Sequence, residues 1–344
     1  MQLIDNIPPE ELYKNYFTVS SWKNQPHVPR LIQLMEGIFD LNARTRILEI
    51  GCNDGIFMEK LTQLGYGNSL GLEPTQDAYK LAVGRGLNVI NGFFGRKMAD
   101  DLMGKDRPDL IVSRQVIEHI PDLHEFLDCA YDVLQPNGGL VLEMPDHSMN
   151  YETLDYSFWE EHCNYFTLHT LSALLVMHGF DIVHHESTLF SGKAFFIFAQ
   201  KSTTKRGSAQ PRNLDHERAM RYKELYPTLQ KSLHDFLDSK AKSGIAMYGA
   251  GARSCNFINL LGLGQYVDVF VDDQPEKQNK YVLGAERVIR SYVNDDAKRF
   301  FLLGVNCENE SKVIKRRNLA SYASVLPPSR FLPEFWQKMS YVGI

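Results

Sequence analysis

From Arg46 onward the chain alternates short β-rich runs with helical stretches: RILEI, a helix reaching about Leu64, NSLGLE, NVING, DLIVSR, a helix over HEFLDCAYDVL, then GGLVLEM. Strands separated by crossover helices pair in parallel with helices on both faces, so the expected fold class is α/β, a doubly wound, mostly parallel sheet. Two later runs, DIVHHES and AFFIFAQ, are close enough to form a hairpin. Upstream, HVPRLIQLMEGIFDL sets Val28, Leu31, Ile32, Met35 and Ile38/Phe39 at helical spacing, which predicts a helical extension or lid within residues 1–45.

The polar stretch KSTTKRGSAQPRN at 201–213 has no periodicity and marks a boundary. Beyond it, Met220, Leu225, Leu229, Leu233 and Phe236/Leu237 form one helical stripe, and GIAMYGAGARS, VDVFVDD and RFFLLGVN read as the strands and turn of a second, smaller α/β domain. The expected domains are therefore 1–45, 46–200, a linker and helix over 201–240, and a substrate-binding domain over 241–344. The 37 Lys+Arg against 42 Asp+Glu leave a formal charge of -5, which excludes a whole-chain nucleic-acid or membrane footprint. The five cysteines are scattered without a C-x-x-C pair, which argues against a disulfide framework and a four-cysteine metal site; no metal is expected. No apolar run reaches the length of a membrane helix and the start, MQLIDNIPPEEL, is acidic, so a cytoplasmic protein is expected.

The segment from Ile47 to Gly55, ILEIGCNDG, ends a strand carrying Glu49, turns on Gly51 and Gly55, and enters a helix. Glycine is needed where φ is positive or where a Cβ would strike a ligand, and the crevice above the carboxyl ends of parallel strands is where such sheets bind nucleotides. GLEP puts Glu73, followed by Pro74, 18 residues after Gly55, close to where a Rossmann acid accepts ribose hydroxyls. The dinucleotide pattern G-x-G-x-x-G is not met, and Asp54 in the turn would repel a pyrophosphate. An acidic turn suits a cation with an α-amino group, such as S-adenosylmethionine.

The chain here resembles the class I S-adenosylmethionine-dependent methyltransferases, whose first motif is E-x-G-x-G-x-G, with Asn53 in place of the middle glycine. NGFF, SRQVIEHIPD and LQPNGGLVLEMP follow in that family's order. The resemblance implies a Rossmann-like fold, with Asn91, Gly92 and Phe93 beside the adenine and Gln115 and Glu118 below the methionine moiety. EIGCNDG, FWEEHCNYFTLHTLSALLVMHGF and GIAMYGAGARSCNFINLLGLGQYVDVFVDDQPEKQNKYVLG are similar, more narrowly, to the C-methyltransferases of nucleotide-linked ketosugars, over roughly residues 16 to 318. Two departures stand out. The paired C-x-x-C elements of that family's zinc module are absent, and its Y-H-E-H segment reads Trp159-Glu160-Glu161-His162, with Tyr165 and Phe166 matching.

A carbon acceptor must lose a proton before it can attack, and histidine is poised to take it near neutral pH. His162 is the candidate base, with Glu161 beside it; His119, in Glu118-His119 past the fourth strand, is the alternative. The resemblance makes Trp159 and Tyr165 substrate neighbours. The second glycine turn, Tyr248 to Arg253, opens a helix whose N-terminus can take a phosphate, and Asp272, Lys277 and Lys280 occupy matching positions that could complete a nucleotide pocket. The implied partner is a small molecule, a nucleotide-sugar, with no nucleic acid or membrane, bound by a monomer or homodimer. Two other readings stay open: an O- or N-methyltransferase of another metabolite, and a non-catalytic S-adenosylmethionine-binding protein.

Overall fold

The computed structural model describes residues 8, 11, 25–103, 107–156, 158–159, 161–190, 192–203 and 215–332. Most of the expected extension before residue 25, most of the 201–213 linker and Glu160 lie outside the described residues. The described residues form two compact units, 1–147 with 160–213, and 148–159 with 214–344. The short stretch 148–159, read from sequence as part of the first domain, thus groups with the C-terminal unit.

In the N-terminal unit, helix α1 (Val28–Phe39) precedes β1 (Ile47–Ile50), α2 (Ile56–Gln63), β2 (Ser69–Glu73), α3 (Gln76–Gly84), β3 (Val89–Asn91), α4 (Arg96–Met103), β4 (Leu110–Arg114), α5 (Leu123–Val133) and β5 (Gly139–Pro145). After α6 (Ser148–Thr153), which groups with the other unit, α7 (Leu168–Met177) leads into the expected hairpin, β6 (Phe180–Leu189) and β7 (Lys193–Lys201). The strand order is β3-β2-β1-β4-β5-β7-β6, parallel except that β7 runs antiparallel to both neighbours. This is a Rossmann-like, doubly wound sheet. Its order reverses between β1 and β4, and a switch point of that kind opens a crevice at the carboxyl ends of the strands.

The core shows why the pattern folds this way. Side chains alternate along each strand. Ile47, Val141, Phe196 and Phe198 meet α1 through Leu31 and Met35 on one face, whereas Leu48, Leu140, Leu142, Phe195 and Ile197 meet Phe126, Leu127, Leu171 and Leu175 on the other. Both faces are covered, so the strands read as continuous apolar runs.

The C-terminal unit comprises α8 (Asp215–Lys240), β8 (Ile245–Tyr248), α9 (Ala252–Leu261), β9 (Val269–Val271), β10 (Tyr281–Val282), β11 (Arg287–Arg290), β12 (Phe300–Leu303), α10 (Cys307–Arg317) and β13 (Tyr322–Ser324). Its order is β10-β11-β9-β8-β12-β13, parallel except for β10 on β11, with a switch point between β8 and β12. Met247 and Ile245 pack with α8 and α9 on one face; Ala246 and Tyr248 pack on the other.

Candidate active site

After β1 the chain turns through Gly51 and Gly55 at φ +74° and +80°. A Cβ at Gly51 would lie 2.4 Å from Val116 Cγ2, and one at Gly55 2.2 Å from Leu87 Cδ1, so both positions demand glycine. Asn53, standing where the family pattern has its middle glycine, takes the same left-handed region at φ +51°. Asparagine tolerates that region better than most residues, which explains how the departure is accommodated.

Glu73 ties the end of β2 to this turn. Its Oε2 accepts the Asn53 amide at 2.8 Å, while Oε1 accepts the amide and hydroxyl of Thr75 at 2.7 and 2.6 Å. Oε2 keeps one lone pair for a ribose hydroxyl. The Asn91 amide donates to the carbonyls of Glu73 and Pro74 at 2.8 and 3.1 Å, and the Gly92 N–H donates to Glu73 O at 3.1 Å, bracing the same rim. Phe93 beyond them is 47% exposed, whereas Phe94 packs edge-on against Phe126 at 5.5 Å as a core residue.

Carboxyl groups dominate the turn. Burial keeps the Glu49 carboxyl protonated up to about 8, against the pull of Arg114. Both Asp54 oxygens and Glu49 Oε2 are buried without a hydrogen-bond partner, and Arg85 comes no nearer to Asp54 than 3.8 Å. Arg114 is engaged with Glu143 and Gln25, each at 2.8 Å. Glu143 also accepts His27 Nε2 and the Gln115 side-chain amide, each at 3.1 Å. Burial works to raise Glu143, but Arg114 and His27 outweigh it and hold its carboxyl at about 2. Buried acceptors without partners, beside one cation already engaged, fit a ligand that brings an ammonium and a sulfonium.

Past β4, Gln115 sits at φ +53° and its backbone N–H donates to Glu143 O at 2.7 Å. A single 3-10 turn, Ile117–His119, follows. His119 Nδ1 lies 2.7 Å from the Glu161 carbonyl. A carbonyl only accepts, so the proton is on Nδ1 and Nε2 presents its lone pair. His162 meets His119 edge-on at 4.8 Å, and Tyr165 lies 6.3 Å from His162 and 4.4 Å from His147. Burial keeps these imidazoles neutral: His119 falls to about 4, His147 to about 3, and His162 well below its ordinary value. Glu118, with both buried oxygens lacking a hydrogen-bond partner, is held protonated up to about 8 by burial. The side-chain ligand atoms of Glu118, His119 and His162 lie within 4.8 Å of one another, the one group among the described residues with the make-up of a metal site.

The sequence candidates His119, His162, Glu118 and Tyr165 therefore converge. Glu161 contributes its carbonyl to His119, a backbone role that sequence reasoning about its carboxylate did not foresee. In the C-terminal unit, Asp272 Oδ2 accepts the Ala250 amide at 2.8 Å and Lys277 Nζ at 3.3 Å, and Oδ1 accepts the Gln274 amide at 2.9 Å. The Tyr248 hydroxyl donates to Asp273 at 2.8 Å and accepts Arg317 Nε at 2.9 Å. Tyr248, Asp272 and Lys277 are thus all hydrogen-bonded within the fold. Lys280 is exposed, Arg253 is buried in the first turn of α9, and Trp159 groups with this unit.

Residues 22–185 match the family described as methyltransferase domain, and residues 205–299 match the C-methyltransferase C-terminal domain. The chain carries a class I S-adenosylmethionine-dependent methyltransferase domain with a C-methyltransferase C-terminal domain. This methyltransferase is 24% identical to C-methyltransferase NovU of Streptomyces niveus over 306 residues, 84% of this chain and 72% of that protein. It is 32% identical over 110 residues to the ubiquinone biosynthesis O-methyltransferase of Nitrobacter winogradskyi, covering 29% of this chain and 41% of that protein. The corresponding enzyme of Bradyrhizobium diazoefficiens is 30% identical over 114 residues, 30% of this chain and 44% of that protein. The chain spans less than half the length of these O-methyltransferases. A solved S-adenosylmethionine-dependent methyltransferase from Thermotoga maritima aligns at 22% identity and TM-score 0.40, over 54% of this chain and 96% of that one. The cofactor of the methyltransferase is S-adenosylmethionine, and none of its described helices is long and apolar enough to cross a membrane.

Sequence reasoning missed His147 and Glu143. Glu143 had a signal, an acid inside the otherwise apolar run GGLVLEM; His147 had none, since its neighbours arrive from distant segments.

Proposed function

We propose that the enzyme methylates carbon of a ketosugar carried on a nucleoside diphosphate, with His162 as the base. The observation that supports this best is the pair of buried neutral imidazoles, His119 and His162, in edge contact at the carboxyl end of β4. S-adenosylmethionine, when bound, supplies a methyl group on a sulfonium. Glu73 holds its ribose through the remaining lone pair of Oε2, Phe93 flanks the adenine, and Glu49 and Asp54 receive the ammonium. His162 takes the proton from the carbon next to the ketone: the C–H bond breaks, an N–H bond forms, and the electron pair passes into an enolate. An imidazole depressed by burial is a weak base alone. The developing enolate supplies the negative charge that stabilises the imidazolium, and His119, oriented by the Glu161 carbonyl, positions the ring. The relative named as a C-methyltransferase, which aligns over 84% of the chain, supports carbon as the acceptor.

The test is His162→Gln. Turnover should fall about 10²-fold or more with cofactor affinity intact, the scale of general-base catalysis. With an unreactive cofactor analogue bound, the wild type should wash deuterium into the position next to the ketone and the variant should not. Methylation without exchange in the wild type would move the acceptor to oxygen or nitrogen.

A further inference from the structure

Glu143 lies fully buried on β5, opposite Arg114 in the register of β4 and β5, and it gathers three segments of the N-terminal unit. Its Oε2 accepts Arg114 Nε, and its Oε1 accepts both His27 Nε2 and the Gln115 side-chain amide. Its main-chain carbonyl accepts the Gln115 backbone N–H as well, so one residue holds Gln115 by backbone and side chain together. That double hold keeps Gln115 in the left-handed region, which a non-glycine residue occupies only when its surroundings over-determine it. The place matters, because a Cβ on Gly51 would strike the side chain of the next residue, Val116, and Gln115 therefore stands against the cofactor turn.

A glutamine amide has a donor edge and an acceptor edge. A carboxylate held at about 2 only accepts, so the NH2 group faces Glu143 and the Gln115 side-chain carbonyl is left for the other side. That carbonyl accepts no hydrogen bond among the described residues. His27 completes the arrangement from 116 residues away. It stands at the N-cap of α1, yet its side chain makes no cap; the ring turns inward, 6% exposed, onto Glu143 and against Phe190 at 4.5 Å. Gln25 fastens the same entry to Arg114 at 2.8 Å, and the Arg114 guanidinium covers the Phe57 ring of α2 at 4.6 Å. Without His27, burial of the Glu143 carboxyl would be opposed chiefly by Arg114. A carboxyl that gains a proton becomes a donor, toward which the Gln115 amide can turn its carbonyl.

We infer that His27 and Glu143 are positioning residues for the cofactor: the entry to α1 acts through Glu143 to aim the Gln115 side-chain carbonyl at the methionine ammonium, where it joins Glu49 and Asp54. The inference rests on the ammonium placement proposed above and is independent of which acceptor is methylated.

The test is calorimetric titration of the full-length chain with two ligands, S-adenosylhomocysteine, which carries the ammonium, and methylthioadenosine, which lacks the amino-acid end. His27→Leu and Gln115→Met should each weaken S-adenosylhomocysteine about tenfold or more, the scale of one charge-assisted hydrogen bond, and leave methylthioadenosine within about twofold. The two losses should not add in the double variant, because both remove the same contact. His27→Gln keeps a donor at the reach of Nε2 and should bring affinity back to within about threefold of the wild type. Retained methylthioadenosine binding reports that each variant is folded, and a residue serving stability alone would weaken both ligands alike or neither. Equal losses for the two ligands, additive losses in the double variant, or a His27→Gln variant as weak as His27→Leu would overturn the positioning role. Asp54→Asn separates that role from the placement beneath it. If the ratio of the two affinities is unmoved in Asp54→Asn but moved in His27→Leu, the ammonium leaves Asp54 and the positioning role stands; the converse removes the positioning role alone.

Discussion

The two glycine turns are built alike and charged oppositely. In each, an acid at the end of the next strand accepts a backbone N–H from the turn at 2.8 Å, Glu73 from Asn53 and Asp272 from Ala250. Around the first, Glu49 and Asp54 keep buried oxygens without hydrogen-bond partners; around the second, Lys277 closes on the acid and Arg253 is buried in the first turn of the helix that follows. The acid therefore serves first to fasten the turn, and the side chains gathered beside it differ in charge between the two.

The largest expected effect separates the last glycines of the two turns. Gly55→Ala should cost on the order of 3 kcal/mol, because φ is +80° and the new Cβ would meet Leu87 at 2.2 Å. Gly251→Ala should cost about 1 kcal/mol or less, its φ of -99° being ordinary and its nearest neighbour 3.9 Å away. Thermal melts of the two variants check this, and equal losses would break the contrast.

Next comes the acid pair. Glu73→Ala should lower S-adenosylmethionine affinity by roughly 1.5 to 3 kcal/mol, through loss of a charge-assisted acceptor and slackening of the turn. Asp272→Ala should lower the melting temperature while leaving cofactor affinity within twofold. Calorimetry with S-adenosylhomocysteine separates them, and a cofactor defect in Asp272→Ala would show that the second turn serves the cofactor.

How far such contrasts can be read from sequence depends on their range. The strands, α1, the β6–β7 hairpin and the stripe of α8 are legible because burial on two faces, or on one, leaves a local period in the text. The first turn is legible too, since its glycines and acids lie within a few positions of each other. The grouping of 148–159 with the C-terminal unit is not, because that segment carries no period and its anchors, such as Tyr156 on Phe257 at 5.2 Å, are long-range. Asp272 and Lys277, five residues apart on a turn, also meet each other at 3.3 Å, a pairing that the sequence reading did not foresee. His119 and His162 were weighed as rivals because the 42 residues between them hide that their rings touch.

Proton linkage gives a smaller effect, confined to the first turn. Glu49 has an ordinary value of 4.5 and is raised by burial to about 8 in the fold. Its contribution to stability is complete below 4.5 and is lost as pH rises through 8, so cofactor-free protein should melt lower at pH 9 than at pH 6, and Glu49→Gln should flatten that slope. A cationic ligand favours ionised Glu49, so cofactor binding at pH 7 should release protons. Titrations with S-adenosylhomocysteine in two buffers of different ionisation enthalpy read the sign, and proton uptake at pH 7 would overturn the assignment of Glu49 to the ammonium.

The smallest expected effect concerns a dication, the remaining way to challenge the division of charge between the units. Glu118, His119 and His162 have the make-up of metal ligands, and a histidine whose other nitrogen donates to a carbonyl, as His119 does to Glu161, is common around metals. The decisive term is the protonation of Glu118. Its carboxyl stays neutral up to about 8, so at pH 7 a dication would meet two neutral imidazoles and a carboxylic acid, and would have to displace a proton before any formal negative charge faced it. Binding should therefore be weak at pH 7 and strengthen toward pH 9. Chelator treatment at pH 7 should leave turnover within twofold, and elemental analysis should give well under one zinc per chain. Stoichiometric zinc, or turnover lost to chelator and restored by zinc, would make this trio a metal centre and transfer the role of base away from His162.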